Sequence, residues 1–483
     1  MLRNIYISLL GSPVAVAFFG SLLLSLLAVL GVVTVGKDAA FYLDIARQVS
    51  EQGVGAALGR FDWPWFVLLL AGTHQFLGLP LEWAAYLWCG LFMAGACALL
   101  VDVVRQRAPQ AVWWAVLVVL AMPAFNQFRA EILREFGFWF FSVLTLWLAL
   151  RWQASSSWAK AAGMVLSVMA AALFRLEAVL LLPALVLWQL PALLRPAQRA
   201  GALQLYFLLA GLAGLGVAGL LVAVQLFDFP THRIAYYASL LSPQQLYESF
   251  NLLAEQFGNS MTYKYSRDEA GQIIFFGLLA ALLIKFVQLL GPFCVLFLDR
   301  SSWARLSEVV RSFSLFGWAA LLYFSVLLLF FIQLQFVNSR YLSFLNILTV
   351  PIVALLIAAC ADRWPRLKRA FVFVALLVMV ANVVSLGAKK THYVEAGKWI
   401  EEHLPVQARI YYDDGRIAYY AGRGYSLSPP LEAALEAPEQ FDYLVIEADE
   451  DDAWLMEWLA RNDLRVMEHF ANRKKDTVLI VGK

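Results

Sequence analysis

Apolar runs of about twenty residues recur along most of the chain, each long enough to cross a bilayer as a helix. They fall at 14–35, 82–104, 110–125, 135–152, 158–175, 176–193, 201–227, 272–298, 312–336, 342–361 and 368–387. The pattern predicts about eleven crossings, because a helix satisfies its backbone hydrogen bonds within one segment and hydrocarbon offers no other partner. Phe66–Leu79 is also apolar, but its fourteen residues are short for a crossing. It predicts a juxtamembrane helix on the outer side. Before it, in 36–65, Phe41, Ile45 and Val49 recur every fourth residue and share one helix face. Asp44, Arg47 and Glu51 line another face, expected to be solvated. This stretch reads as a helix on the membrane surface, apolar side down.

The pattern changes near Thr391. YVEAGKWIEEHL reads as a helix, ARIYYDD, FDYLVIEA and KKDTVLIVGK as strands, and DAWLMEWLARN as another helix. The expected organisation is a transmembrane domain over 1–390, with outer helices in 36–80 and a long outer loop at 228–271. A small soluble α/β domain follows over 391–483.

Composition agrees with a polytopic α-helical membrane protein. The chain is 61% hydrophobic and only 15% charged, against roughly a quarter charged in soluble proteins. The formal net charge of +2 says nothing about nucleic acid, and no nucleic-acid partner is expected of such a membrane chain. Cys89, Cys97, Cys294 and Cys360 lie in apolar segments without metal-type spacing and read as small core residues. P-loop, GxGxxG, HExxH and GxSxG motifs are absent.

Charge placement sets the expected orientation. Arg105 and Arg107, Arg151 and Lys160, Arg195 and Arg199, Arg300 through Arg311, and Arg363 through Arg369 share one side with Arg3 and the N-terminus. The positive-inside rule makes that side cytoplasmic. An odd number of crossings then puts the C-terminal domain outside, with loop 1.

The outer side collects polar residues at span ends, where they are costly without a partner or ligand. Asp38 stands where the chain leaves the first span; it reads either as a helix N-cap or as a carboxylate facing lipid headgroup and substrate. In RAEILREF, Glu131 and Glu135 are four apart and share a helix face, with Arg134 pairing to Glu131. In FRLEA, Arg175 and Glu177 read as a tight re-entry or as snorkelling ends. Arg340 and Tyr341 open a span. Asp44 and Asp62, with the cations Lys37, Arg47, Arg60, Arg129, His232, Arg233, Lys264 and Arg267, complete the charged set. Arg binds phosphate through a bidentate fork, and a carboxylate beside a phosphate leaving group can take the proton of an acceptor hydroxyl. Lys285, mid-span, snorkels, pairs with another helix or belongs to an internal polar site. Asp413-Asp414-Gly415 reads as a turn rather than a metal site.

With these residues in hand, the chain resembles the GT-C superfamily of polyprenyl-phosphate-sugar glycosyltransferases, in the branch of aminoarabinose transferases and protein O-mannosyltransferases. Asp38-Ala39-Ala40-Phe41-Tyr42 and Leu43-Asp44-Ile45-Ala46-Arg47 match the acidic loop-1 motif. Trp63-Pro64-Trp65 through Gly78 match the short apolar helix. Glu131, Arg134 and Glu135, then Arg175 and Glu177, then Arg340 and Tyr341 match later elements in order. Ala39 stands where the branch has a second acidic residue, and Pro64 where it has paired prolines. The resemblance implies a GT-C-like fold and an inverting transfer from a polyprenyl-phosphate-linked sugar donor to a cell-envelope acceptor. It places the chain in a bacterial-type inner membrane. Asp38 would be the catalytic base. Asp44, Arg60, Glu131, Arg134, Glu135, Arg175, Glu177, Lys264, Arg267, Arg340 and Tyr341 would bind substrates. No cofactor is required, and with Ala39 in place the motif does not support a divalent cation. Two other classes compete: a flippase or transporter of lipid-linked sugars, and an O-antigen-type polymerase or ligase.

Overall fold

The computed structural model describes residues 11–227, 231–240, 242–384, 387–449 and 452–483. Arg3, Asp228 at the start of the long loop, and Glu450–Asp451 of the acidic run after β2 lie outside them. Seven helices among the described residues are long and apolar enough to cross a membrane. They are Pro13–Leu30, Leu81–Arg107, Leu176–Leu193, Pro196–Leu226, Ala270–Phe297, Ser314–Leu334 and Ser339–Arg363. Pro109–Ala121 and Trp158–Phe174 are shorter apolar helices. The runs at 135–152 and 368–387 form Glu135–Ala154 and Pro365–Val383. Phe66–Leu79 becomes the helix Trp65–Leu77, which ends at Gly78 with φ +67°, a left-handed C-cap that glycine adopts without strain.

The chain divides into two compact units. The first holds the described residues up to Leu26, with Trp88–Arg129 and Arg134–Val383. Within it, Glu135–Ala154 and Trp158–Phe174 form a helical hairpin. Ser157 caps the second arm by accepting from the Lys160 amide. A Cβ at Gly137 would collide with the Phe174 ring, so glycine there lets the two helices close. Phe92 then packs against Phe140, Phe141 and Phe174. Leu81–Arg107 and Ser339–Arg363 are the most enclosed of the seven: 72% of each apolar window is buried, against 6% for Pro196–Leu226.

Two isolated cations of this unit turn out to be tied to protein oxygens. Lys285 Nζ donates to the Val337 carbonyl at 3.0 Å. Arg129 is buried; it donates to Ser21 and Ser25 hydroxyls at 3.0 and 2.9 Å and to Asn126 Oδ1 at 2.6 Å. These bonds occupy Nε and Nη1 of Arg129, while its buried Nη2 has no hydrogen-bond partner among the described residues.

The second unit holds Leu27–Leu87, Ala130–Leu133 and Val384–Lys483. Its sheet has the order β1-β2-β4-β3, with β1 Ile410–Tyr412, β2 Tyr443–Glu447, β3 Arg465–Ala471 and β4 Thr477–Gly482. β1 and β2 run parallel, and the other pairs are antiparallel. Helix Thr391–His403 covers one face, packing Tyr393, Ala396 and Ile400 on Val445, Val478 and Ile480. Helix Ala453–Arg461 covers the other through Leu455 and Leu459. β3 has no continuous apolar run to announce it. Its side chains alternate exposed and half-buried at the sheet edge, so the strand was not expected from the sequence.

Candidate functional site

Loop 1 forms the helix Lys37–Gln52, with Gly36 as N-cap and no side-chain cap bond. Asp38 is therefore inside the first turn and not the capping residue. A first-turn carboxylate suits the positive end of the helix dipole. The apolar face is packed within its own unit: Phe41 meets Phe61 and Tyr425, and Tyr42 meets Phe66. Asp44, expected on a solvated face, is fully buried. Arg60 reaches its Oδ2 at 2.7 Å, Arg47 its Oδ1 at 2.9 Å, and Gln48 donates as well. Burial is tolerated because the charge is paired on both oxygens.

The same unit brings the C-terminal domain to loop 1. Lys37 Nζ lies 3.2 Å from Asp414 Oδ2. Arg416 holds Asp414 by two further bonds, 2.9 and 2.7 Å. Burial pushes the Asp414 carboxyl up, but the Arg416 hydrogen bonds and the charges of Arg416 and Lys37 outweigh it and bring it to about 2. A depressed carboxylate stabilises the fold above its unfolded value, so the stabilisation is complete above about pH 4 and fades as pH falls toward 2. Asp414 also N-caps the helix Gly415–Tyr420, so Asp413-Asp414-Gly415 is a strand-to-helix turn. Burial, with the charges of Asp414 and Asp38 nearby, pushes the Tyr425 phenol up.

Residues 131–134 are not helical; the helix starts at Glu135. Glu131 and Glu135 therefore do not share a helix face, and they belong to different units. Glu131 lies against the start of loop 1, where a Cβ at Gly36 would collide with its carboxylate. Gly36→Ala is expected to displace the Glu131 side chain while the melting temperature moves by only a few degrees. A structure and a thermal melt of the purified variant check this.

The membrane unit gathers a second cluster. Arg175 is a single extended residue between the helix ending at Phe174 and a 3-10 turn, Leu176–Leu180. That break turns its guanidinium inward. It reaches Glu135 Oε1 at 2.7 Å and grips Glu177, with side chains only 6%, 4% and 7% exposed. Arg340 stands 3.4 Å from Glu135. Asn338 accepts from the Arg340 amide and starts that helix. The Tyr341 ring lies under Arg175 at 4.3 Å, and Tyr323 donates to the Tyr341 carbonyl. Arg175, Glu177, Tyr237, Tyr323 and Tyr341 line a cavity of about 130 Å³ whose remaining wall is mainly apolar. Charged groups on one wall and aliphatic side chains on the other fit an amphipathic ligand.

Arg134 belongs to this unit too. Lys264 and Arg267 sit exposed on the short helix Lys264–Asp268. Arg267 donates to the Met261 carbonyl. Sequence reasoning passed over Asp414, Arg416 and Tyr425 as functional residues. Their only local signal was the DDGR turn closing β1. Among the described residues, no group of three or more His, Cys, Asp or Glu is placed to hold a metal ion.

No family model and no curated protein sequence matches the chain. Among solved structures, the crystal structure of ArnT from Cupriavidus metallidurans in the apo state matches with a TM-score of 0.58 at 13% identity. The match covers 100% of this chain and 98% of that one. ArnT is an aminoarabinose transferase of the GT-C family. Over its full length, the chain has an ArnT-like fold.

Proposed function

We propose that this protein is an integral-membrane glycosyltransferase that moves a sugar from a polyprenyl-phosphate donor to an acceptor hydroxyl of the cell envelope, with inversion. The observation that carries the reading is the full-length correspondence with ArnT, at 100% and 98% coverage. The protein would lie in the inner membrane of a bacterial cell, N-terminus cytoplasmic and C-terminal domain outside.

In the step proposed, the acceptor oxygen attacks the anomeric carbon and its proton passes to the Asp38 carboxylate. The bond from the anomeric carbon to the phosphate oxygen breaks, and its electron pair leaves with polyprenyl phosphate. Cations that face the departing phosphate lower the barrier, because they act on charge that develops in the transition state. Lys264, Arg267, Arg60 and Arg340 are the candidates. The Arg175 cavity would receive part of an amphipathic substrate. The reading asks for no cofactor: EDTA is expected to leave the rate within about twofold, since proton transfer and phosphate stabilisation both come from side chains.

A transporter reading drew on Lys285, whose hydrogen bond to the Val337 carbonyl accounts for that residue as a helix-to-backbone tie. The test uses the purified protein in nanodiscs with a panel of polyprenyl-phosphate sugars. It follows free polyprenyl phosphate with and without envelope acceptors. Acceptor-dependent release supports the transferase. Binding without release, with lipid-linked sugar crossing the bilayer of liposomes, would replace it with a transporter.

A further inference from the structure

In open α/β sheets the crest at the carboxyl ends of parallel strands is where ligands settle. Here the parallel pair is β1 and β2, and the crest turn after β1 is Asp413-Asp414-Gly415. Its occupant is Lys37, the first residue of the loop-1 helix, at 3.2 Å from Asp414. Asp414 is 1% exposed and already held twice by Arg416, so it is a fixed point rather than a carboxylate in search of a cation. Lys37 is 60% exposed. A cation at a helix N-terminus runs against the dipole, so its position there calls for a partner, and Asp414 is that partner.

The hold repeats along the helix. Tyr420 OH accepts from the Val35 amide at 2.8 Å, just before the helix begins. Phe41 packs edge-on against Tyr425. Two turns in, Arg60 joins Asp44 to the Tyr425 carbonyl, 2.7 and 3.1 Å. Gly424, at φ +81°, comes so close that a Cβ there would lie 2.9 Å from Asp44 Oδ1. Lys37, Phe41 and Asp44 follow one helix face, because seven residues advance about 700°, close to two full turns. Asp38 is turned about 100° from Lys37. The docked face thus meets the helix both before and after Asp38 in the sequence, at Lys37 and at Phe41.

We infer that the C-terminal domain is the positioning element of loop 1: the 414–425 segment grips the Lys37–Asp44 face and thereby sets the placement of Asp38, with Asp414 and Lys37 as positioning residues. This rests on the reading of Asp38 as the base. It assigns the crest of the domain to a segment of its own chain, where an acceptor-binding role would leave the crest open.

The experiment uses the full-length protein in nanodiscs and compares Lys37→Met, Lys37→Arg, Asp414→Asn and the Lys37→Met/Asp414→Asn pair by kcat and KM for donor and acceptor. Loosening a reacting group by about 1 Å costs on the order of a hundredfold. Lys37→Met and Asp414→Asn are therefore expected to lower kcat ten- to a hundredfold with both KM values within twofold. Lys37→Arg is expected to restore most of kcat, and the pair to lose no more than its worse member. Asp414→Asn leaves Arg416 without its carboxylate; if that variant does not fold, Lys37→Met, at an exposed position, decides alone. Lys37→Met at wild-type kcat, with Asp38→Asn inactive, would overturn the inference and leave the transferase reading intact. A rise in acceptor KM at unchanged kcat would overturn it in favour of acceptor binding at the crest. An active, folded Asp38→Asn would instead remove the reading on which it rests.

Discussion

Asp38→Asn is expected to abolish measurable transfer, a loss of about 10²- to 10⁴-fold for removal of a general base, while the protein folds and melts almost as the parent does. The two halves of this expectation have separate grounds. Asn keeps the size of Asp and can still bond to nearby polar groups, but it cannot accept the proton of a reacting hydroxyl at neutral pH. Stability should hold because Asp38 is not the helix cap: the helix Lys37–Gln52 starts one residue earlier, with Gly36 as N-cap. The change removes a first-turn charge from the helix dipole, worth about 0.3–1 kcal/mol, and the Asn amide oxygen can still accept a hydrogen bond where the carboxylate did. Polyprenyl phosphate release and a thermal melt on the same preparation check both halves. Wild-type turnover in a well-folded Asn variant would take Asp38 out of the base role.

Arg175→Met is expected to damage folding more than any other single change considered. The guanidinium lies between Glu135 and Glu177, all three almost wholly buried. Breaking a buried ion pair by removing one partner costs about 3–5 kcal/mol, because the remaining charge has neither water nor counter-ion. Glu135 Oε2 has no hydrogen-bond partner even with Arg175 in place, so it has little to fall back on. Arg175→Met should lower the yield of monodisperse protein severely in size-exclusion chromatography. Arg175→Met with Glu177→Gln should recover much of it, since Glu135 then keeps Arg340 at 3.4 Å and no second carboxylate is stranded. Activity should stay low in the double variant, whose cavity wall has lost its charge. Equal behaviour of the single and double variants would mean that burial of charge is not what the cluster manages.

The charged cluster and the loop-1 grip differ in how they relate to function. Arg175, Glu135, Glu177 and Arg340 neutralise one another within the membrane unit, and Tyr341 covers the guanidinium with its ring. A neutral but strongly polar wall beside an apolar one can orient an amphipathic ligand. Asp414 and Lys37 have no such cavity. Their value lies in where they hold the helix, which is why their substitution should change kcat and spare KM.

Sequence alone determined the class of the protein and the order of its parts. Run length predicts membrane helices, and periodicity predicts the loop-1 helix and most of the small domain, because both are properties of neighbouring residues. The break at Arg175 and the span start at Arg340 were legible for the same reason, whereas Asp38, read as an N-cap, lies inside the first turn behind the Gly36 cap. β3 was not, since an edge strand with alternating exposure has no apolar run of its own. Tertiary structure alone decided who pairs with whom. Arg175 meets Glu135 across forty residues, and Lys37 meets Asp414 across most of the chain. No local pattern encodes such partners, because an ion pair depends on which faces packing brings together. The burial of Asp44 was likewise hidden: spacing put it on a polar face, and only the approach of Arg60 and Gly424 turned that face inward.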